Sequence, residues 1–511
     1  MHNIKNIIKI ALFISAIFLP QSQLWAQDYI YVEQAKEIYF DKTVTDAQIL
    51  RGNVIIKQKD ARMFCDSANY WQEKNLARAY GKVQINQNDT LNVYGDSLTY
   101  YGISRSAHLD GNVKVIDNSL ILKTPSLIYE LDSNKAYYNN YAIIYGFQNQ
   151  DTLVSKKGIY YSQKKYIEFT DSVIYKGDGF RLDTDTLLYD LDSSISYFRG
   201  PTRIITGKDT IYTTKGWYNT KLNTSSFDGR TKIQTAEQTI EGDKIIYDRA
   251  NGIGEIHGNI VLTDTVNNFI LTGDYGYFNE NKGTSIVTGN PLLTQYFEED
   301  TLFLMADTLF AVKDTTSKKQ ALNAYHNVRF FKNDIQGICD SLYYAEEDST
   351  LKLFTNPVIW SDANQLTGDY IDLTTSNGKL HKMYIENNAF IIAEEDTSSY
   401  NQIKGKNMTG FFKNGELNKV EVSGNGQTVY YATEEDKETE KKTKITFNKI
   451  ECSDIVIYME DQGIKTISFL VKPDGASYPL DQINRKDLFL KNFNWLIDKR
   501  PNSLKDLYTK F

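Results

Sequence analysis

The sequence has few of the residues on which metal and catalytic sites are usually built. It contains five histidines and three cysteines in 511 residues. The histidines, at positions 2, 108, 257, 326 and 381, form no i, i+4 pair and have no cysteine cluster beside them, whereas a zinc site needs such a grouping. A glycine-rich phosphate loop and a Gly-x-Ser-x-Gly nucleophile motif are also missing. We therefore expect no catalytic residue, no metal site and no cofactor, and predict that the protein is not an enzyme.

Basic residues are in the minority. The chain has 57 Lys and Arg against 65 Asp and Glu, a formal net charge of −8, which makes nucleic acid a poor partner. With 41% hydrophobic residues and 36 tyrosines, the chain does not have the composition of a disordered tail.

The first 26 residues have the pattern of a secretory signal peptide. Lys5 and Lys9 form a short basic region, an apolar run extends to Leu19, and Leu24-Trp25-Ala26 precedes Gln27 like a cleavage site. No later apolar run is long enough to cross a membrane. We predict a signal peptide over residues 1–26 and a periplasmic location, with association with the outer membrane as an open alternative.

The sequence is rich in repetition. A phrase of the type Gly-Asn-Val begins at Gly52, Gly81, Gly111, Gly200, Gly229, Gly258, Gly289 and Gly424, and several steps between copies are 29 or 30 residues. A second phrase places an aspartate four residues before an aromatic ring, as in Asp66 with Tyr70, Asp96 with Tyr100 and Asp243 with Tyr247. Two phrases in one phase indicate a stacked repeat architecture.

Within each repeat the apolar residues alternate with a period of two, which is typical of strands with one buried face. Clusters such as Asp132-Ser133-Asn134 have turn chemistry and separate the phrases. We predict an all-β repeat array over residues 27–430, with two or three short strands in each repeat. An open V-shaped jellyroll and a closed parallel β-helix both fit this pattern.

Two sets of side chains are candidates for the lining of a binding surface. The first set follows the glycine phrases: Val54, Ile56, Val83, Ile85, Val113, Val115, Ile204, Ile233, Ile260, Leu262, Val328 and Phe330. The alternative set is a ladder of tyrosines on one face: Tyr70, Tyr100, Tyr129, Tyr161, Tyr189, Tyr218 and Tyr247. The tyrosines fit ordinary same-face packing or the wall of an apolar trough, and the sequence does not decide between them.

The recurring aspartates and two of the cysteines have a structural interpretation. A carboxylate cleft of a polysaccharide-cleaving enzyme is one alternative, but aspartates that recur with the repeat are expected to serve its turns. Cys65 and Cys339 directly precede such aspartates, where other repeats have Gly95 or Gly242. We expect Cys65 and Cys339 to be small buried residues at a crowded position and not to form a disulfide.

The phased phrases resemble the OstA-like family, over about residues 28–430. That family includes the periplasmic lipopolysaccharide-transport bridge and the N-terminal domain of the outer-membrane lipopolysaccharide assembly protein. The resemblance implies a V-shaped β-jellyroll whose two sheets enclose a hydrophobic groove for lipid A acyl chains. It also implies inner- and outer-membrane partners that dock by edge-strand addition. The alternative function is a periplasmic or surface β-solenoid scaffold that binds polysaccharide on exposed tyrosines.

The C-terminal region departs from the repeat. Residues 431–447 read as a charged loop and residues 448–475 as the last repeat-like strands. In residues 476–511, Leu488, Phe489, Phe493, Leu496 and Ile497 recur at helical spacing. We predict a short helical segment that caps the open end of the stack, or alternatively a tail that binds a partner.

Overall fold

We describe a computed structural model of the chain. The structure describes residues 29–87, 91–117, 120–146, 151–177, 179–313, 319–376, 379–413, 416–435, 442–460 and 463–509. The predicted signal peptide lies outside these residues. The chain divides into two compact units, residues 1–147 with 161–163, and residues 148–160 with 164–511. Strands dominate both units, which confirms the predicted all-β repeat fold.

Among its described residues the first unit contains ten strands: β1 Tyr31–Gln34, β2 Glu37–Phe40, β3 Gln48–Gln58, β4 Ala61–Trp71, β5 Leu76–Gln87, β6 Leu91–Tyr101, β7 Ser106–Asp117, β8 Leu120–Glu130, β9 Lys135–Tyr138 and β10 Ala142–Tyr145. From β3 to β8 each strand pairs antiparallel with the next one in the chain.

The second unit continues the same plan. Its first strands are β11 Thr152–Ser155, β12 Lys157–Tyr161, β13 Tyr166–Gly177, β14 Phe180–Asp190, β15 Ile195–Thr206, β16 Asp209–Asn219, β17 Thr224–Gln234, β18 Gln238–Asp248, β19 Ile253–Asp264 and β20 Phe269–Asn279. Then follow β21 Thr284–Thr288, β22 Leu292–Tyr296, β23 Thr301–Met305, β24 Thr308–Lys313, β25 Gln320–Phe331, β26 Gln336–Ala345, β27 Thr350–Phe354, β28 Val358–Ser361, β29 Asn364–Thr367 and β30 Tyr370–Ser376. The last are β31 Lys379–Glu386, β32 Ala389–Asp396, β33 Ser399–Gly405, β34 Asn407–Lys413, β35 Glu416–Glu435, β36 Lys442–Glu460, β37 Gly463–Leu470 and β38 Asp474–Pro479.

The repeat is built from long strands rather than the two or three short strands that we expected. In β3 the pair Gly52 and Asn53 has positive φ angles of 79° and 47°, and the pairing register with β4 shifts between Arg51 and Val54. The glycine phrase is therefore a β-bulge inside one continuous strand, and the bulge bends that strand. It resembles a turn in sequence because a bulge uses the same left-handed residues.

Each bent strand contributes to two walls. We call wall A the halves that precede the bulge in the bulged strands, together with the halves of neighbouring strands that pair with them. Wall B consists of the halves that follow the bulge, together with their pairing partners. Where a long strand is divided, its two pieces separate between the walls: β20 pairs with β21 through residues 275–279 and with β22 through residues 269–272. All strand pairings given for the described residues are antiparallel. This connectivity excludes the parallel β-helix that the sequence left open.

Apolar side chains of the two walls face each other and form the core. In the second unit one buried cluster joins Leu342, Leu353 and Ile371 of wall A with Phe330 and Ile359 of wall B. The alternation of buried and exposed residues along each strand half follows from the two-residue period of the pleat.

The predicted charged loop is shorter than residues 431–447. Residues 431–435 belong to β35 and residues 442–447 to β36, and these two strands pair with each other as far as Glu435 and Lys442. Tyr431 and Phe447 are buried. Apolar packing therefore extends the two strands into the stretch that we had predicted, from its charges, to be a solvated loop.

The C-terminal segment after β38 contains 3-10 turns at Leu480–Gln482, Arg485–Asp487, Ile497–Lys499 and Leu504–Tyr508. It does not cover the end of the stack as predicted. Instead residues 483–507, which we call the strap, run back along the outer face of wall B in the second unit. Leu490 packs with Phe390 and Phe447, and Leu507 packs with Leu292 and Met305.

Glutamine side chains of wall B hold the main chain of the strap. Gln402 donates to the carbonyl of Leu488 at 2.8 Å and accepts from the amide of Leu490 at 2.8 Å. Gln365 makes the same two contacts with Asn494 O and Leu496 N, both at 2.7 Å. Both glutamines are fully buried, so their amides depend on the strap for these hydrogen bonds.

Candidate functional site

The corner between the walls is formed by the two recurring phrases together. The carboxylate of Asp96 accepts a hydrogen bond from Asn112 at 2.7 Å, and Asp243 accepts one from Asn259 at 2.6 Å. A Cβ on Gly111 would lie 2.5 Å from Asp96 Oδ2. The aspartate of one strand therefore packs against the bulge of the next, which supports the structural interpretation of these carboxylates.

The inner side of the corner is crowded. A Cβ on Gly242 would lie 2.4 Å from Ile256 Cγ2, and one on Gly405 would lie 2.2 Å from Val422 Cγ1. Cys65 and Cys339 occupy the same position in their repeats and are buried, free thiols. Burial raises the pKa of both thiols to about 12, so they stay protonated and unreactive at neutral pH.

The predicted aliphatic set lies on the inner face of wall B. Val54, Ile56, Val83, Ile85, Val113, Val115, Ile204, Ile260, Val328 and Phe330 are buried, whereas Ile233 and Leu262 are half-buried. Most of this set therefore packs as protein core. Only the half-buried members present apolar surface to a ligand without a movement of the walls.

Six members of the tyrosine ladder lie on the inner face of wall A, opposite the aliphatic set: Tyr70, Tyr100, Tyr129 and Tyr189 are buried, and Tyr218 and Tyr247 are half-buried. Tyr161 is the exception, because the buried residues of β12 are Gly158 and Tyr160 and the half-buried Tyr161 lies on the outer face of that strand. Within each unit the two sets thus lie on facing walls of a cleft and not on alternative faces of a strand. The bend at each bulge explains the difference, since a period-two pattern alone does not report that a strand turns a corner.

The mouth of the cleft in the first unit is closed by polar side chains that join the rims of the two walls. The Tyr100 hydroxyl of wall A donates to the Gln58 side-chain carbonyl of wall B, and Tyr129 donates to Gln87 in the same way. Gln58 Nε2 also donates to the Gly102 carbonyl at 3.0 Å. These four side chains are at most 5% exposed, so the first unit has no open groove along this part.

An ion pair continues this closure. Arg105, whose side chain is 6% exposed, bonds Asp60 at 2.6 Å and Asp132 at 3.0 Å, and Gln87 Nε2 donates to Asp60 at 2.7 Å. Burial acts to raise the pKa of Asp60, but the hydrogen bonds from Gln87 and Arg105 outweigh it and hold that pKa below its ordinary value. Asp60 is therefore charged at neutral pH.

The second unit begins with an aromatic closure and then opens. The rings of Phe180 on wall B and Tyr218 on wall A stack with centroids 5.3 Å apart. In the strands that follow, the inner side chains near the mouth are more exposed to solvent. We call residues 209–303 the open stretch. The inner apolar side chains near its mouth are half-buried, whereas those nearer the corner, such as Ile245 and Ile260, are buried. The half-buried set is Ile211, Ile233, Ile240, Leu262, Phe269, Leu271, Leu293, Tyr247 and Phe278.

The sequence interpretation missed the polar residues at the mouth. Gln58 and Gln87 are 29 residues apart, as are Tyr100 and Tyr129, and each glutamine continues the buried alternation two places after Ile56 or Ile85. A polar residue repeated on a buried face was the available signal.

No group of three His, Cys, Asp or Glu side chains able to hold a metal ion occurs within the described ranges. None of the helices in those ranges is long and apolar enough to cross a membrane.

The geometry defines a class of protein: an antiparallel β-repeat array whose two walls enclose an apolar cleft. The sequence also matches two known protein families. Residues 27–185 match the family described as OstA-like protein, and residues 271–379 match the family described as LptA/(LptD N-terminal domain) LPS transport protein. The predicted resemblance to the OstA-like family is confirmed over these two segments.

Among solved structures the chain is similar to LptH of Pseudomonas aeruginosa, described as the LptA-homologous periplasmic component of the lipopolysaccharide transport device. The identity is 20%, the match covers 20% of this chain and 76% of LptH, and the TM-score is 0.19. No curated protein matches the sequence significantly.

Proposed function

We propose that this protein is a periplasmic lipopolysaccharide transport or assembly protein whose cleft receives the acyl chains of the lipid. The observation that carries the proposal is the open stretch, where apolar side chains of both walls are half-buried around a cleft. The two family matches, one of which overlaps this stretch, supply the chemical class of the ligand.

The energetics of the open stretch suit a conduit. Each methylene taken from water contributes about 0.8 kcal/mol, and residues such as Ile233, Leu262 and Leu271 present similar apolar surface in successive strands. A row of similar weak contacts retains an acyl chain without fixing it at one place. Sugars would remain outside the mouth in water, and no catalytic residue or cofactor is needed.

We further propose that the terminal strands dock partners at the two membranes. In the first unit β1 and β2 pair with β3, and Tyr31, Ile38 and Phe40 are exposed on them. In the second unit β37 and β38 pair with β36 and expose Ile464 and Tyr478. Edge strands with exposed apolar side chains suit strand addition by like edges of membrane partners.

Photo-crosslinking in cells that make lipopolysaccharide tests the proposal. A photoreactive amino acid replaces Leu262 on the inner face of β19, and the matched control replaces Val261, the adjacent residue on the outer face. We expect lipopolysaccharide adducts from position 262 and few from position 261. Equal labelling of both positions, or none at position 262, would refute the cleft as the lipid site.

The polysaccharide scaffold is the weaker alternative for the predicted tyrosine ladder. Tyr70, Tyr100, Tyr129 and Tyr189 are buried inside the cleft and cannot serve as exposed platforms for sugar rings.

A further inference from the structure

The closure of the first unit is built differently from the rest of the core. Apolar packing fills the cleft, yet its mouth is sealed by buried hydrogen-bonding groups that reach from one wall to the other. A buried polar group that loses its partner is costly, so such a seal is stable only while both rims stay together.

We propose that Gln58, Tyr100, Gln87 and Tyr129, braced by Asp60 and Arg105, form a latch that holds the two walls of the first unit together and must break before an acyl chain enters that unit. The inference rests on the proposed function for the identity of the ligand. The latch itself rests only on the contacts across the mouth.

The braces bond directly to one of the two glutamine-tyrosine pairs. Asp60 accepts from Gln87, the partner of Tyr129, at 2.7 Å, and from Arg105 at 2.6 Å. Gln58, the partner of Tyr100, donates to the carbonyl of Gly102 on the rim opposite to its own. Because both pairs hold the same two rims together, we expect opening at one pair to weaken the other.

The second unit carries no such residues at the matching positions. Two places after the second apolar residue of the glycine phrase, the first unit has Gln58, Gln87 and Asp117, and the second unit has Thr206, Thr235 and Asp264 after Gly200, Gly229 and Gly258. Asp264 bonds Gln238 and Asn267 within its own wall. None of these three positions of the second unit holds a glutamine, and two of them, residues 235 and 264, lie in the open stretch.

Opening of the latch is measured without lipid. Spin labels are attached at Arg62→Cys on wall B and Ile103→Cys on wall A, and their separation is measured by double electron–electron resonance. The test variant carries Tyr100→Phe and Tyr129→Phe, which remove only the two hydroxyls. The control carries Tyr80→Phe and Tyr101→Phe, whose side chains are 43% and 40% exposed on the outer surface.

We expect the distances in the test variant to shift to longer values and broaden, while the control keeps the wild-type distribution. An unchanged distribution in a folded test variant would overturn the latch. If the double variant does not fold, Tyr129→Phe alone, which leaves the Gln58–Tyr100 pair intact, carries the same comparison.

Lipid access forms a second arm. A photoreactive residue at Ile85, which is 1% exposed, is expected to label lipopolysaccharide more strongly in the Tyr→Phe variant than in the wild type. Wider distances without this increase would overturn the role of the latch in lipid access. If a photoreactive residue at position 262 of the otherwise wild-type protein labels no lipopolysaccharide, the proposed function is refuted. The distance measurements would still test the latch, because they are made without lipid.

Discussion

At the scale of single residues, the bulge glycines are set by two constraints at once. Gly111 has a φ of +78°, and a Cβ there would also meet Asp96 Oδ2 at 2.5 Å. Gly179 has a φ of +65° but no heavy atom within 4 Å of its Cβ position. Alanine substitutions at Gly111 and Gly179 therefore separate the cost of the left-handed backbone conformation from the cost of the steric contact.

We expect Gly179→Ala to lower the free energy of unfolding by about 1–2 kcal/mol, the cost of the left-handed conformation. Gly111→Ala should cost more, because the methyl group also displaces the Asp96 carboxylate from its hydrogen bond with Asn112. Denaturant unfolding of both variants measures the difference. Equal losses would show that the contact with Asp96 is relieved by a small movement.

The pH dependence of the latch follows from Asp60. Its pKa is lowered in the folded state, so the stabilisation from its pair with Arg105 is present above the unfolded pKa of about 3.9 and is lost as the pH falls through the folded value. We expect the distances between spin labels at residues 62 and 103 to be constant from about pH 8 to pH 5 and to lengthen only below about pH 4. Asp60→Asn should remove this acid transition.

At the scale of strands and segments, the sequence predicted that the array consists of strands and, for most of them, which side is apolar. Val54 and Ile56 are buried as the alternation required. It did not predict that Gly52 and Asn53 lie within a strand, because left-handed residues mark turns and bulges equally. Tyr100 and Gln58 face each other only because the strands bend at the bulge. The local alternation of apolar residues could therefore not predict their contact.

The strap was misread for a related reason. Leu488, Phe493 and Leu496 have helical spacing, but the segment forms only separate 3-10 turns, because part of its main chain bonds Gln365 and Gln402 of wall B. Tertiary contacts outweigh the local preference of a short segment.

We expect Gln365→Ala to cost about 1–3 kcal/mol of unfolding free energy, because it leaves Asn494 O and Leu496 N without their partner. Hydrogen exchange should become faster at the amide of Leu496. The control is Gln427→Ala in β35, a residue whose side chain bonds Glu451 and not the strap. Unchanged exchange at Leu496 in the Gln365 variant would show that apolar packing alone holds the strap.

At the scale of the whole molecule, burial decides which groove mutation is informative. Val113 is 1% exposed, so Val113→Asp would bury a charge in packed core and destabilise the first unit whether or not lipid passes there. Leu262 is half-buried at the mouth of the open stretch, where a carboxylate reaches water more readily.

We therefore expect Leu262→Asp to lower lipopolysaccharide delivery to the cell surface several-fold while protein abundance stays near the wild-type level. Val261→Asp, on the opposite face of the same strand, should leave delivery unchanged. Surface lipopolysaccharide is measured by antibody binding to intact cells and protein by immunoblot. Normal delivery in a stable Leu262→Asp protein would contradict passage through the open stretch.

The strap also sets an order of assembly. Successive strands of the array pair with near neighbours in the chain, so each repeat finds its contacts soon after it emerges. The Leu507 carbonyl, in contrast, accepts from Arg329, 178 residues earlier, and the strap also touches β36, β33 and β29 on the way. Its docking surface exists only after all of those strands have folded, so the strap attaches after the part of the second unit that it contacts.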